Sequence, residues 1–188
     1  KQMVPKAWKG MDIDAKCNAL YQYTKESLRK LKDAGVDVGM VQIGNETNGA
    51  MCGEYATMVG GWKRITQLIS AGSKAVREVC PEALVAVHFT NPEKPESYVS
   101  YGKNLHDYQV DYDVFASSYY PFWHGTLDNL AGVLSDIANT YGKKVMVAET
   151  SYAFTSADTD FFANTIGSGS QITGYPFSQQ GQADLVRD

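Results

Sequence analysis

Val38-Gly39-Met40-Val41-Gln42-Ile43-Gly44-Asn45-Glu46 decides how the rest of the chain is read. Val38 to Ile43 is a short apolar run without helical periodicity, the pattern of a strand buried on both faces, and at Gly44 it turns abruptly polar. Upstream, Ala15, Ala19, Leu20, Tyr23, Leu28 and Leu31 recur at roughly helical spacing between Asp14 and Ala34, and Gly35 follows as a C-cap. Downstream the alternation repeats. A helix from about Trp62 to Val79 precedes a strand Leu84 to Phe89, and a helix from about Glu96 to Tyr108 precedes a strand Val114 to Tyr120. A helix Leu127 to Tyr141 then leads to a strand Val145 to Glu149. Short apolar strands separated by amphipathic helices imply a parallel sheet joined by right-handed crossovers, because antiparallel hairpins need only tight turns. A barrel and a doubly wound open sheet both satisfy this.

The polar residues at the strand ends separate the two. Asn45 and Glu46 follow the first strand, His88 and Asn91 the second, Tyr119, Tyr120, Trp123 and His124 the third, and Glu149, Ser151 and Tyr152 the fourth. In a barrel all strand C-termini surround one mouth, so these groups meet; in an open sheet they are strung out along an edge. No GxGxxG or GxxxxGK[ST] loop supports a nucleotide-binding sheet. The reading is therefore α/β, a (β/α)8 TIM barrel. With 188 residues against the roughly 250 of a complete barrel, the chain is an incomplete barrel segment, one domain over residues 1–188.

Composition narrows the function. A net charge of -4 opposes a nucleic-acid partner, which would need clustered Lys and Arg to neutralise phosphates. No run of about 18 apolar residues can cross a membrane as a helix, and no signal-peptide core opens the chain. Cys17, Cys52 and Cys80 show no CxxC pair and no regular spacing, and they read as free thiols. The oligomeric state is left open.

Glycosidic cleavage needs one group to protonate the leaving oxygen and another to stabilise or attack the oxocarbenium-like carbon; two carboxylic acids supply both. Glu46 and Glu149 end apolar strands and fit those roles, with a close pair expected to split in pKa so that one is ionised and the other holds a proton. Asn45 is placed to bond a sugar hydroxyl. Each residue has a plainer reading: a lone strand-end Glu is ordinarily solvated, and His88 or His124 alone is ordinarily a structural imidazole. The run Tyr-Tyr-Pro-Phe-Trp-His at 119–124, leaving a strand end, is an aromatic loop rather than a core face.

Gly39 to Gly49 (GMVQIGNETNG), Val87 to Pro92 (VHFTNP), Asp111 to Gly125 (DYDVFASSYYPFWHG) and Tyr141 to Tyr152 (YGKKVMVAETSY) together resemble glycoside hydrolase family 53, the arabinogalactan endo-β-1,4-galactanases, and specifically its bacterial members. The resemblance covers nearly the whole chain and weakens after about Phe154. It implies a retaining-clan barrel in which Glu46 is the acid/base and Glu149 the nucleophile. It further implies hydrolysis of internal β-1,4 linkages in the galactan side chains of pectin, a secreted or cell-surface location, and no organic cofactor. Asn45, His88, Asn91, Tyr119, Tyr120, Trp123, His124 and Tyr152 then become candidate substrate-binding residues. Bacterial relatives carry a structural calcium, and Asp158, Asp160 and Asn164 match its oxygen-donor positions, with Phe162 where the relatives have His. Gly167 to Gly174 reads as a mobile stretch of the same loop. Two other readings stay open: a retaining β-glycosidase of the same clan acting on mannan, xylan or glucan, and a non-catalytic carbohydrate-binding fragment.

Overall fold

The computed structural model describes residues 3–188. Four parallel strands form one sheet in the order β1 (Met40–Ile43), β4 (Leu84–Phe89), β5 (Val114–Tyr119), β6 (Lys144–Thr150). Each crossover carries a helix, α2 (Gly61–Val79), α3 (Pro95–Asp107) and α4 (Leu127–Tyr141), while α1 (Ile13–Asp33) leads into β1. The expected β/α alternation is present, and the bounds of β4 and α4 fall where the apolar pattern put them. Further elements escape that pattern. A small antiparallel hairpin, β2 (Ala50–Met51) and β3 (Glu54–Tyr55), follows β1, and α5 (Gln179–Arg187) closes the chain.

Local chemistry sets the helix ends. Asp12 accepts from the Ala15 amide at 2.8 Å and starts α1, and Thr126 accepts from Asn129 at 3.1 Å and starts α4. Gly142, at φ 63°, ends α4 in the left-handed conformation that a glycine adopts without strain.

Partners in a parallel sheet share a face, so the register sorts the side chains. Val41, Ile43, Val85, Val87, Phe89, Phe115 and Ser117 lie on one face, and Gln42, Ala86, His88, Ala116 and Met146 on the other. The first face meets the helices. Phe89 stacks on Tyr101 of α3 at 4.6 Å, Phe115 packs on Tyr98, and a Cβ on Gly72 of α2 would stand 2.8 Å from Ile43. The buried Tyr98 hydroxyl lies 2.5 Å from Ser117 Oγ, so neither polar group is orphaned in the core.

One expectation needs correction. The first strand is shorter than Val38 to Ile43: it runs Met40–Ile43 and forms one edge of this four-stranded segment.

Candidate active site

β1 ends in a turn that only its own residues allow. Gly44 has φ +79°, and an added Cβ would lie 2.6 Å from Thr47 Cγ2, so the position excludes any side chain. Two residues on, Glu46 is itself left-handed at φ 47°, an uncommon state for a residue with a side chain. The surroundings enforce it. The amide and hydroxyl of the fully buried Thr47 both donate to the His88 carbonyl, at 2.8 and 3.0 Å. Asn48 accepts from the Thr90 amide at 2.9 Å and donates to the Thr90 carbonyl at 2.8 Å and to Asn91 Oδ1 at 3.2 Å. The Glu46 turn is thereby tied to the end of β4.

Glu149 reaches the same place by a different device. Ser117 pairs with Val147, but Ser118 pairs with Glu149, so Ala148 is an extra residue in β6. Such a bulge changes which side of the strand the following residues occupy. Without it Glu149 would pair with Tyr119 on the helix-facing side. With it, Glu149 shares a face with Ser118 and His88.

Neighbouring strands lie about 4.8 Å apart, so β1 and β6, at opposite edges of the sheet, stand roughly three spacings from each other. The two strands between them fill the gap with one polar side chain each. Ser118 Oγ is 2.7 Å from Glu46 Oε1 and 2.9 Å from His88 Nε2. On the other side of the ring, His88 Nδ1 is 3.2 Å from Asn45 Oδ1 and 3.8 Å from Glu149 Oε1. The Tyr120 hydroxyl donates to Glu149 Oε2 at 2.9 Å. Glu46, Ser118, His88, Asn45, Glu149 and Tyr120 therefore form one cluster, with His88 at its centre and Ser118 linking it to Glu46.

Burial pushes the His88 imidazole below its ordinary range, outweighing the opposing pull of Glu149 and Glu46, and the ring is neutral near pH 7. Burial, together with the hydrogen bond to Glu149 and its charge, raises the Tyr120 hydroxyl, which keeps its proton as a donor.

The remaining candidates divide. Trp123 is 54% exposed and stands beside Tyr120, a ring face open to a ligand. Asn91 stands at φ 70°, bonded to Asn48 and to Glu93. Tyr119, His124 and Tyr152 are buried, and their polar atoms serve the backbone. Tyr119 donates to the Gly125 carbonyl at 3.1 Å, and His124 Nδ1 accepts from the Tyr120 amide at 3.0 Å. The Tyr152 hydroxyl accepts from Ile172 at 2.9 Å and donates to the Tyr175 carbonyl at 2.5 Å, while its ring stacks on Phe122. These three hold the aromatic loop and the long loop after β6 in place. That loop is partly ordered by a 3-10 turn at Ser168–Ser170 and a bridge between Ile172 and Tyr175.

Asp158, Asp160 and Asn164 lie exposed in it, and the carboxylates of Asp158 and Asp160 accept from the amides of Asp160 and Phe162. Among the described residues, no three His, Cys, Asp or Glu side chains gather to hold a metal. The set offered is two carboxylates and one amide, all hard oxygen donors suited to calcium rather than to zinc.

Ser118, Thr47 and Asn48 were not singled out by sequence. The signal was there for Ser118. A serine pair inside an apolar strand buried on both faces must find polar partners, and those partners are functional candidates.

The sequence profile of glycosyl hydrolase family 53 matches residues 1–188. The chain belongs to that family. It is 55% identical over 188 residues to the endo-β-1,4-galactanase of Bacillus subtilis, covering 100% of this chain and 43% of that protein. It is 34% identical over 191 residues to the arabinogalactan endo-β-1,4-galactanase of Cellvibrio japonicus, covering 97% of this chain and 50% of that protein. It thus spans about half the length of these family 53 relatives. The family 53 catalytic domain of Ignisphaera aggregans superposes with a TM-score of 0.90 at 33% identity, over 100% of this chain and 52% of that one. The four-stranded sheet is thus a segment of the family 53 barrel.

Proposed function

We propose that this chain carries the catalytic centre of an endo-β-1,4-galactanase that cleaves internal linkages of galactan and arabinogalactan with retention of configuration. Glu46 is the general acid/base, and Glu149 is the nucleophile. The observation that carries this reading is the cluster itself. Two carboxylates from opposite edges of a parallel sheet are tied to one buried imidazole, on the side where strand C-termini meet in a barrel. The similarity to the endo-β-1,4-galactanase of Bacillus subtilis and the arabinogalactan endo-β-1,4-galactanase of Cellvibrio japonicus supports galactan as substrate.

In the first step Glu149 attacks the anomeric carbon while Glu46 protonates the departing oxygen; in the second, Glu46 takes a proton from water, which releases the sugar from Glu149. Tyr120 orients the Glu149 carboxylate. Asn45 and Asn91 face the sugar hydroxyls, and Trp123 offers a stacking surface for a sugar ring. Reducing-sugar release should be found on β-1,4-galactan and not on mannan or xylan, with the β-anomer as the first product by proton NMR. An α-anomer would exclude the nucleophilic role of Glu149, and cleavage of mannan or xylan instead would move the substrate to another member of the clan. Glu46→Gln should retain more activity on substrates with good leaving groups than on the polysaccharide, because the former need little protonation.

The loop after β6 would hold calcium through Asp158, Asp160 and Asn164, tying down the segment that Tyr152 clasps. Calcium added to chelator-treated protein should raise the melting temperature, and Asp158→Ala should remove that rise. Secretion or display at the cell surface accords with a polymeric substrate. Among the described residues no helix is long and apolar enough to cross a membrane.

A further inference from the structure

The hairpin after β1 buries a carboxylate where the fold otherwise puts apolar side chains. Glu54 of β3 is 2% exposed, and its two oxygens meet cations from two helices. Oε1 accepts from Lys16 of α1, and Oε2 lies 2.6 Å from Arg64 Nε of α2. Burial pushes this carboxyl up, but the hydrogen bond and charge of Lys16 and the charge of Arg64 outweigh it and hold it below the ordinary range, so the cluster is ionised near pH 7. A carboxylate seated between two such cations has one place open to it, because any shift leaves its buried charge unpaired.

That place is passed on toward Glu46. Glu54 pairs with Met51 across the hairpin, so both side chains lie on its buried side, while Tyr55 on the other side is exposed. The connection between the strands is two residues long, Cys52 and Gly53, both left-handed at φ 49° and 78°, which leaves the hairpin little room to flex. Buried Met51 covers Gly44: a Cβ there would stand 3.6 Å from Met51 Cε. Gly44 opens the turn that carries Glu46. The Ala56 amide closes the hairpin on the Gly49 carbonyl at 2.7 Å, and the start of α2 presses on the Ala56 carbonyl, which a Cβ on Gly61 would approach to 2.2 Å.

We propose that Glu54, gripped by Lys16 and Arg64, is a positioning residue for the hydrolysis: it seats the hairpin so that Met51 fixes the Gly44–Glu46 turn and the aim of the Glu46 carboxyl. Thr47 and Asn48 tie the residues after Glu46 to the end of β4, and Met51 holds the residue that opens the turn. The role in the reaction rests on the assignment of Glu46 as acid/base; the clamp does not.

Two measurements on the full-length protein that contains this chain test the proposal, with Glu54→Gln and Met51→Ala as the variants. Met51→Ala leaves the ion cluster whole, and it decides alone should Glu54→Gln fail to fold. Hydrogen exchange read by mass spectrometry should show the amides of residues 44–51 exchanging about tenfold faster in each variant, while those of residues 114–119 keep their rates. Unchanged exchange over 44–51, or equal quickening in both segments, overturns the clamp whether or not the protein hydrolyses galactan. The second measurement is kcat/KM on β-1,4-galactan and on an aryl β-1,4-galactobioside with a dinitrophenolate leaving group, which needs little protonation. Each variant should lose about 10- to 100-fold on galactan, the scale of a misplacement of up to about 1 Å, and little on the aryl substrate. Equal losses on both substrates where Glu46→Gln spares the aryl one, or no loss on either, mark a purely structural cluster and overturn the positioning role. If Glu46→Gln itself loses equally on both, the acid/base assignment falls and the positioning role with it, while the exchange rates still decide the clamp.

Discussion

β4 and β5, flanked on both sides within this chain, are buried almost throughout, whereas β1 and β6, flanked on one side only in a chain that spans about half of its family 53 relatives, are largely half-buried or exposed. The polar groups divide the same way. The inner strands contribute His88 and Ser118, both with 0% exposure, and the outer strands end in the carboxylates Glu46 and Glu149. What distinguishes the groups is their place along the strand. His88 and Ser118 lie within their strands, sealed from solvent, and act through what they bond, while Glu46 and Glu149 stand at or just past strand C-termini, where a substrate in a barrel mouth can meet them.

The most severe way to break the division is to remove a reacting group. Glu149→Gln should lower galactan hydrolysis by about 10⁴-fold or more while leaving polysaccharide binding in affinity electrophoresis intact; unchanged turnover would take the nucleophile away from β6. Next comes the inner packing. Phe115→Ala, in a ring cluster with Phe89 and Tyr98, should cost about 3–5 kcal/mol in urea unfolding. Gly44→Ala should cost about 1–3 kcal/mol through backbone strain at a positive φ, and should lower activity further because it displaces the Glu46 turn. The smallest effect belongs to the outward side of a helix. Val99→Ala, at a position 58% exposed on α3, should cost about 1 kcal/mol or less; a loss equal to that of Phe115→Ala would erase the contrast between packed and open positions.

Much of this arrangement was legible in the residues, and the reasons are specific. Leu84 to Phe89 and Leu127 to Tyr141 show clean apolar patterns between clear boundaries, so their limits matched. The Gly-Asn-Glu turn announced a polar strand end, and Glu46 does stand beside Asn45 in the cluster with His88 and Glu149. The hairpin at 50–55 was missed because strands of two residues leave no periodicity to detect. Tyr119, His124 and Tyr152 bond backbone groups in this structure, which the sequence does not show, because an aromatic or imidazole side chain at a strand end has the same letter whatever it bonds. Hydrogen-bond partners are set by distant residues such as Ile172 and Tyr175.

The extra residue Ala148 makes the cleft a matter of odd and even. An engineer seeking a more regular sheet would find deletion of Ala148 attractive, since it restores one-to-one pairing along β5 and β6. The register shows that such a deletion would leave Glu149 opposite Ser118 and Thr150 opposite Tyr119, so the acid keeps its side; it is a slip that retains Ala148 in regular pairing that would turn Glu149 toward the helices.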